Sequence, residues 1–120
     1  MVNGASTLNM SGDAQVLHNS SGEIGGGISL GSNLWGPTNI LNMNGGLVKE
    51  NEAGSSGGGI YANGANNNYG ANGANGELYV KNVLITDNNS SWEGAGLAAC
   101  PISKTTIYAN NGDKTRELFY

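Results

Sequence analysis

The chain has 120 residues, of which 12% are charged and 38% hydrophobic, and its net charge is −4 with only 5 Lys+Arg. Cations this few exclude the dense basic surface that a phosphate backbone requires, so no nucleic-acid partner is expected. No apolar run reaches the roughly 18 residues of a membrane span, and 21 Gly with 19 Asn oppose long helices.

In chain order, the first predicted unit is LNMSGDAQVLHNSSGEIGGGI, residues 8–28. The second is LNMNGGLVKENEAGSSGGGI, residues 41–60, and the third is LYVKNVLITDNNSSWEGAGL, residues 78–97. Each opens on a short alternating run, with Leu8, Leu41 and Leu78 aligned and Met10, Met43 and Val80 two residues on. Each continues to Val16, Val48 or Ile85, three residues before Asn19, Asn51 or Asn88. Each closes on a triplet of small residues followed by Ile28, Ile60 or Leu97. The first unit carries one extra residue between Met10 and Asn19. A further half-unit, TTIYANNG at 105–112, places Ile107 and Asn110 at the same mutual spacing. The Asn positions 19, 51, 88 and 110 then step by 32, 37 and 22 residues, and the shortest step reads as the bare unit. The longer steps contain insertions at 29–39 and 63–76.

Self-similarity at this period, with runs of three to five residues and no sustained helical period, predicts an all-β chain built as a β-solenoid of about four coils. Equivalent side chains would stack into ladders at strand spacing: Leu8/Leu41/Leu78, Met10/Met43/Val80, Val16/Val48/Ile85/Ile107 and Ile28/Ile60/Leu97. Asn19, Asn51, Asn88 and Asn110 would form a structural amide ladder at a bend. The Gly triplets would turn a tight corner where coils approach closely. Residues 1–120 would be one such domain or a fragment of a longer one.

The units also carry two short motifs. The first reads VLHN (16–19), VKEN (48–51), ITDN (85–88) and IYAN (107–110); the second reads GGGI (25–28), GGGI (57–60) and GAGL (94–97). Over roughly residues 7–112 the chain resembles the polymorphic outer membrane protein family of autotransporter-type adhesins, whose motifs are written FxxN and GGAI. It departs in having Val or Ile for Phe and, in two tetrapeptides, Gly for Ala. The resemblance implies a right-handed parallel β-helix of the pectate-lyase-like type. It also implies a secreted or cell-surface location, outside the cell, and an adhesive or structural role.

Candidate chemistry is sparse. Glu50 and Asp87 occupy equivalent positions, close enough to share a Ca²⁺, but one solvated acid per coil is the expected reading. His18 holds that position in the first unit with no Ser-His-Asp or metal pattern around it, and Cys100 is alone. No cofactor, metal or catalytic residue is therefore expected. Trp35 and Tyr69 in the insertions and Trp92 in a turn are the expected ligand or partner contacts, for a glycan or a host or cell-surface protein. The expected function is a structural or adhesion-type segment, non-catalytic in itself. The alternative is part of a carbohydrate-active lyase- or hydrolase-like β-helix enzyme. Coils without caps would also associate end to end.

Overall fold

The computed structural model describes residues 1–2, 5–31, 38–63, 76–100 and 103–108. Within them the regular elements are all strands. The first unit supplies β1 (Thr7–Ser11), β2 (Gln15–Leu17), β3 (Ser20–Ser21) and β4 (Ile28–Leu30). The second supplies β5 (Asn39–Asn44), β6 (Leu47–Lys49), β7 (Glu52–Ala53) and β8 (Ile60–Ala62). The third supplies β9 (Gly76–Lys81), β10 (Leu84–Thr86), β11 (Asn89–Ser90) and β12 (Leu97–Ala99), and β13 (Lys104–Ile107) follows. Each unit places one strand in each of four sheets. The orders are β1-β5-β9-β13, β10-β6-β2, β11-β7-β3 and β12-β8-β4, and every pairing is parallel.

The register puts like side chains over like. Leu8, Leu41 and Leu78 are partners, as are Met10, Met43 and Val80. Val16, Val48 and Ile85 align in the second sheet, and Ile28, Ile60 and Leu97 in the fourth. These inward residues, Leu8 excepted, form one apolar core with Leu30, Ala62 and Val83, and Val16 packs against it partly buried. Leu41, Val48, Ile60, Leu78, Val80, Ile85 and Leu97 are fully excluded from solvent. Each such side chain is worth about 1.5–3 kcal/mol against exposure. Leu8, on an edge strand, remains 41% exposed. A one-residue slip would turn the whole apolar set outward, so the alternation L-x-M or L-x-V fixes the register.

Two sequence expectations need correction. Ile107 does not join Val16, Val48 and Ile85. It pairs with Val80, and Thr105 pairs with Leu78, so β13 extends the first sheet and Ile107 continues the Met10/Met43/Val80 row. The physical cause is the T-x-I alternation, which suits an inward-outward strand. The Ile-x-x-Asn spacing that suggested otherwise is coincidental, and the last step in this sheet is 27 residues, from Leu78 to Thr105. The insertions are also shorter than the sequence boundaries. Ser29 and Leu30 belong to β4, Asn39 opens β5 and Gly76 opens β9. Leu30 carries on the inward row and is fully buried. The extra residue of the first unit lies in the turn after β1, where Gly12, Asp13 and Ala14 answer Gly45 and Gly46.

Candidate functional site

Two regions of the surface bear on function: the corner between the second and third sheets, and the outward face of the four-stranded sheet.

At the corner, His18, Glu50 and Asp87 have φ of 55°, 56° and 55°, although none is Gly. Left-handed backbone at such residues costs about 1–3 kcal/mol each, so the surroundings must hold it. What holds it is the Asn that follows. The backbone N–H and Nδ2 of Asn19 both donate to Asn51 Oδ1, each at 3.0 Å. The backbone N–H and Nδ2 of Asn51 donate in turn to Asn88 Oδ1, at 3.0 and 2.9 Å. Asn51 Nδ2 also reaches the Val16 and Lys49 carbonyls, and Asn88 Nδ2 reaches the Val48 carbonyl. Asn51 and Asn88 are buried, so their amides satisfy one another inside the protein.

The Gly triplets close the same stretch. Gly25, Gly57 and Gly94 have φ of 62°, 68° and 55°. Past the first two the chain runs against the next unit through successive backbone bonds, as from the Gly26, Gly27 and Ile28 N–H groups to the Gly57, Gly58 and Gly59 carbonyls. A Cβ on Gly58 would lie 2.2 Å from Asn89 O and 2.4 Å from Ala95 O, so only glycine permits this approach.

Outside the corner, Lys49 Nζ lies 3.4 Å from Glu50 Oε1 and 3.9 Å from Asp87 Oδ2, and His18 Nδ1 lies 3.2 Å from Glu50 Oε2. An ammonium therefore stands between the two acids that the sequence suggested for a shared Ca²⁺. Among the described residues no group of three His, Cys, Asp or Glu could hold a metal. Exposed pairs of this kind contribute little to stability.

The outward face of the four-stranded sheet varies from strand to strand, apart from Asn9 and Asn42, which are the same residue. Register rows across it are Thr7-Ile40-Glu77-Lys104, Asn9-Asn42-Tyr79-Thr106 and Ser11-Asn44-Lys81, with Tyr108 just beyond β13. Asn42 Nδ2 donates to Asn9 Oδ1 at 3.0 Å, and Asn82 Nδ2 donates to Asn44 Oδ1 at 3.1 Å. The Tyr79 hydroxyl donates to Glu77 Oε2 at 3.1 Å, and Lys104 Nζ stands 5.7 Å from the Tyr79 ring centroid. The hydrogen bond to Tyr79 and the charge of Glu77 raise the Lys104 ammonium above its ordinary pKa. A shallow groove of about 430 Å³ opens beside this cluster, lined by Asn42, Met43, Asn44, Tyr79, Lys81 and Tyr108.

Trp92, one of the expected contacts, is 80% exposed on the turn after β11 and tethered by its N–H to the Ser55 carbonyl. Trp35, Tyr69 and Asn110 lie outside the described residues. Asn42, Asn44 and Tyr79 carry no signal in the repeat alignment, because they sit at the x positions of L-x-M-x and L-x-V-x, which the alignment passes over. The available signal was that the varying positions alternate with core residues and are Asn, Tyr and Lys. Tyr61, on the fourth sheet, has its phenol pushed up by burial and then by the charges of Cys100 and Glu93. Among the described residues no helix is long and apolar enough to cross a membrane. No family model, no curated protein and no solved structure matches the chain.

Proposed function

We propose that the stacked units form a right-handed parallel β-helix similar to those of polymorphic outer membrane proteins. In this reading the chain is a structural, adhesion-type segment of a secreted or cell-surface protein, non-catalytic in itself. The observation that carries it is the pairing of an interior kept apolar in every unit with an exterior of mixed side chains. Three units repeat the same core rows and the same Asn corner, while the outward positions change between units, Asn9 and Asn42 excepted. A scaffold of that design displays side chains rather than concentrating them around one reacting bond.

Beads coated with the protein are expected to adhere to immobilised glycans or to extracellular matrix proteins above uncoated controls. Silence on both classes would overturn the adhesive part. Release of unsaturated or reducing ends from polysaccharide substrates would overturn the non-catalytic part. The edge strands β1, β2 and β3, with Leu8 at 41% exposure, further support end-to-end association. Light scattering is expected to show mass rising with concentration, and a constant monomer mass would contradict it.

A further inference from the structure

We propose that the groove over β5 and β9 binds a neutral oligosaccharide, stacked on Tyr79 and Tyr108 and hydrogen-bonded by Asn42 and Asn44. The proposal rests on the adhesive reading above for its biological meaning, and it names the partner and the site. The volume, about 430 Å³, falls in the range of small-ligand sites.

Position decides against an extended peptide. β5 and β9 are the two central strands of their sheet, hydrogen-bonded on both sides, so no backbone edge is free to take another strand. A ligand there meets side chains only. Tyr108 stands two residues beyond Thr106, the register partner of Tyr79, and its N–H continues the ladder to the Val80 carbonyl. The two rings are thus diagonal neighbours on one face, about 7–8 Å apart in backbone position. Sugar rings present C–H faces that stack on aromatic rings. Tyr79 is braced on the row away from the groove, where Glu77 holds its hydroxyl and Lys104 its ring. A ring already held in place costs less ordering on binding.

The amides supply complementary halves of a hydroxyl's needs. Asn42 spends a donor on Asn9, which leaves its Oδ1 to accept. Asn44 spends its Oδ1 on Asn82, which leaves its Nδ2 to donate. A sugar hydroxyl both donates and accepts, and this pair matches it. Lys81 is the single charge in the lining, one cation where a polyanion would need several to match its repeated charges.

The test is NMR titration of the full chain with cellohexaose and maltohexaose, alongside tri-galacturonate as the acidic probe. A neutral probe is expected to shift the Tyr79, Tyr108 and Asn42 side-chain resonances. Tyr108→Ala and Asn42→Ala are each expected to weaken binding at least tenfold with unchanged circular dichroism, and Glu23→Ala, in the exposed turn after β3, to leave it unchanged. No shift with either neutral probe at millimolar concentration overturns the proposal. So does tighter binding of tri-galacturonate, or retained affinity in both groove variants. If coated beads still adhere while no saccharide shifts the groove, the adhesive reading stands and the groove assignment falls.

Discussion

The corner and the outward face of the four-stranded sheet are built from the same strands but obey opposite rules. At the corner each unit repeats its neighbour, each Asn amide donating to the Oδ1 of the Asn in the next unit. On the face most positions change from strand to strand, and cross-strand contacts such as Asn42 to Asn9 are exposed rather than built into the core. The comparison separates what holds the protein together from what it offers to others.

Substitutions at buried and exposed members of one row test the first half of that contrast. Asn51→Ala removes an amide with partners on both sides and orphans the Asn19 donors, so it is expected to cost about 3 kcal/mol or more. Asn19→Ala, at the exposed end, is expected to cost about 1 kcal/mol. Urea titration reads both, and equal losses would mean that the ladder is ornamental. A similar asymmetry is expected at the Gly triplets. Gly58→Ala forces a Cβ onto two backbone oxygens and is expected to cost about 3 kcal/mol. The reverse change at the equivalent third-unit position, Ala95→Gly, is expected to stay within about 1 kcal/mol.

Backbone strain gives a gain rather than a loss. Glu50→Gly relieves a left-handed residue at φ 56° and is expected to stabilise by about 0.5–1 kcal/mol, less the exposed contact with Lys49. A thermal melt that fell instead would show that Glu50 does more than turn the chain. On the outward face, Asn42→Ala is expected to change stability by less than about 0.5 kcal/mol.

The smallest effect is one of pH. The Tyr61 phenol is raised above its usual value of 10.0 by burial, Cys100 and Glu93. Its contribution is therefore complete below pH 10 and is lost as pH climbs through the raised value. Tyr61→Phe is expected to lose less stability between pH 9 and 11 than the parent chain, and parallel alkaline curves would contradict that.

Sequence and structure meet where spacing carries physics. Leu41 over Leu78 and Asn51 over Asn88 are legible because core rows keep apolar character, and the amide ladder keeps Asn, at matching positions. Ile107 was misplaced because Ile-x-x-Asn is too short a phrase to outweigh the strand alternation T-x-I. The left-handed His18, Glu50 and Asp87 had no residue type in common to announce their backbone. The groove was hidden for the opposite reason: Asn42, Tyr79 and Lys81 vary where a repeat is sought, so their shared face emerges only once the strands are in register.

The most direct measurement is side-chain amide hydrogen exchange by NMR. The Asn51 carboxamide protons are expected to exchange far more slowly than those of Asn42 and Asn44, since only the former lie in a buried ladder. Exchange of Asn51 as fast as that of the face asparagines would contradict a stack held by its corner.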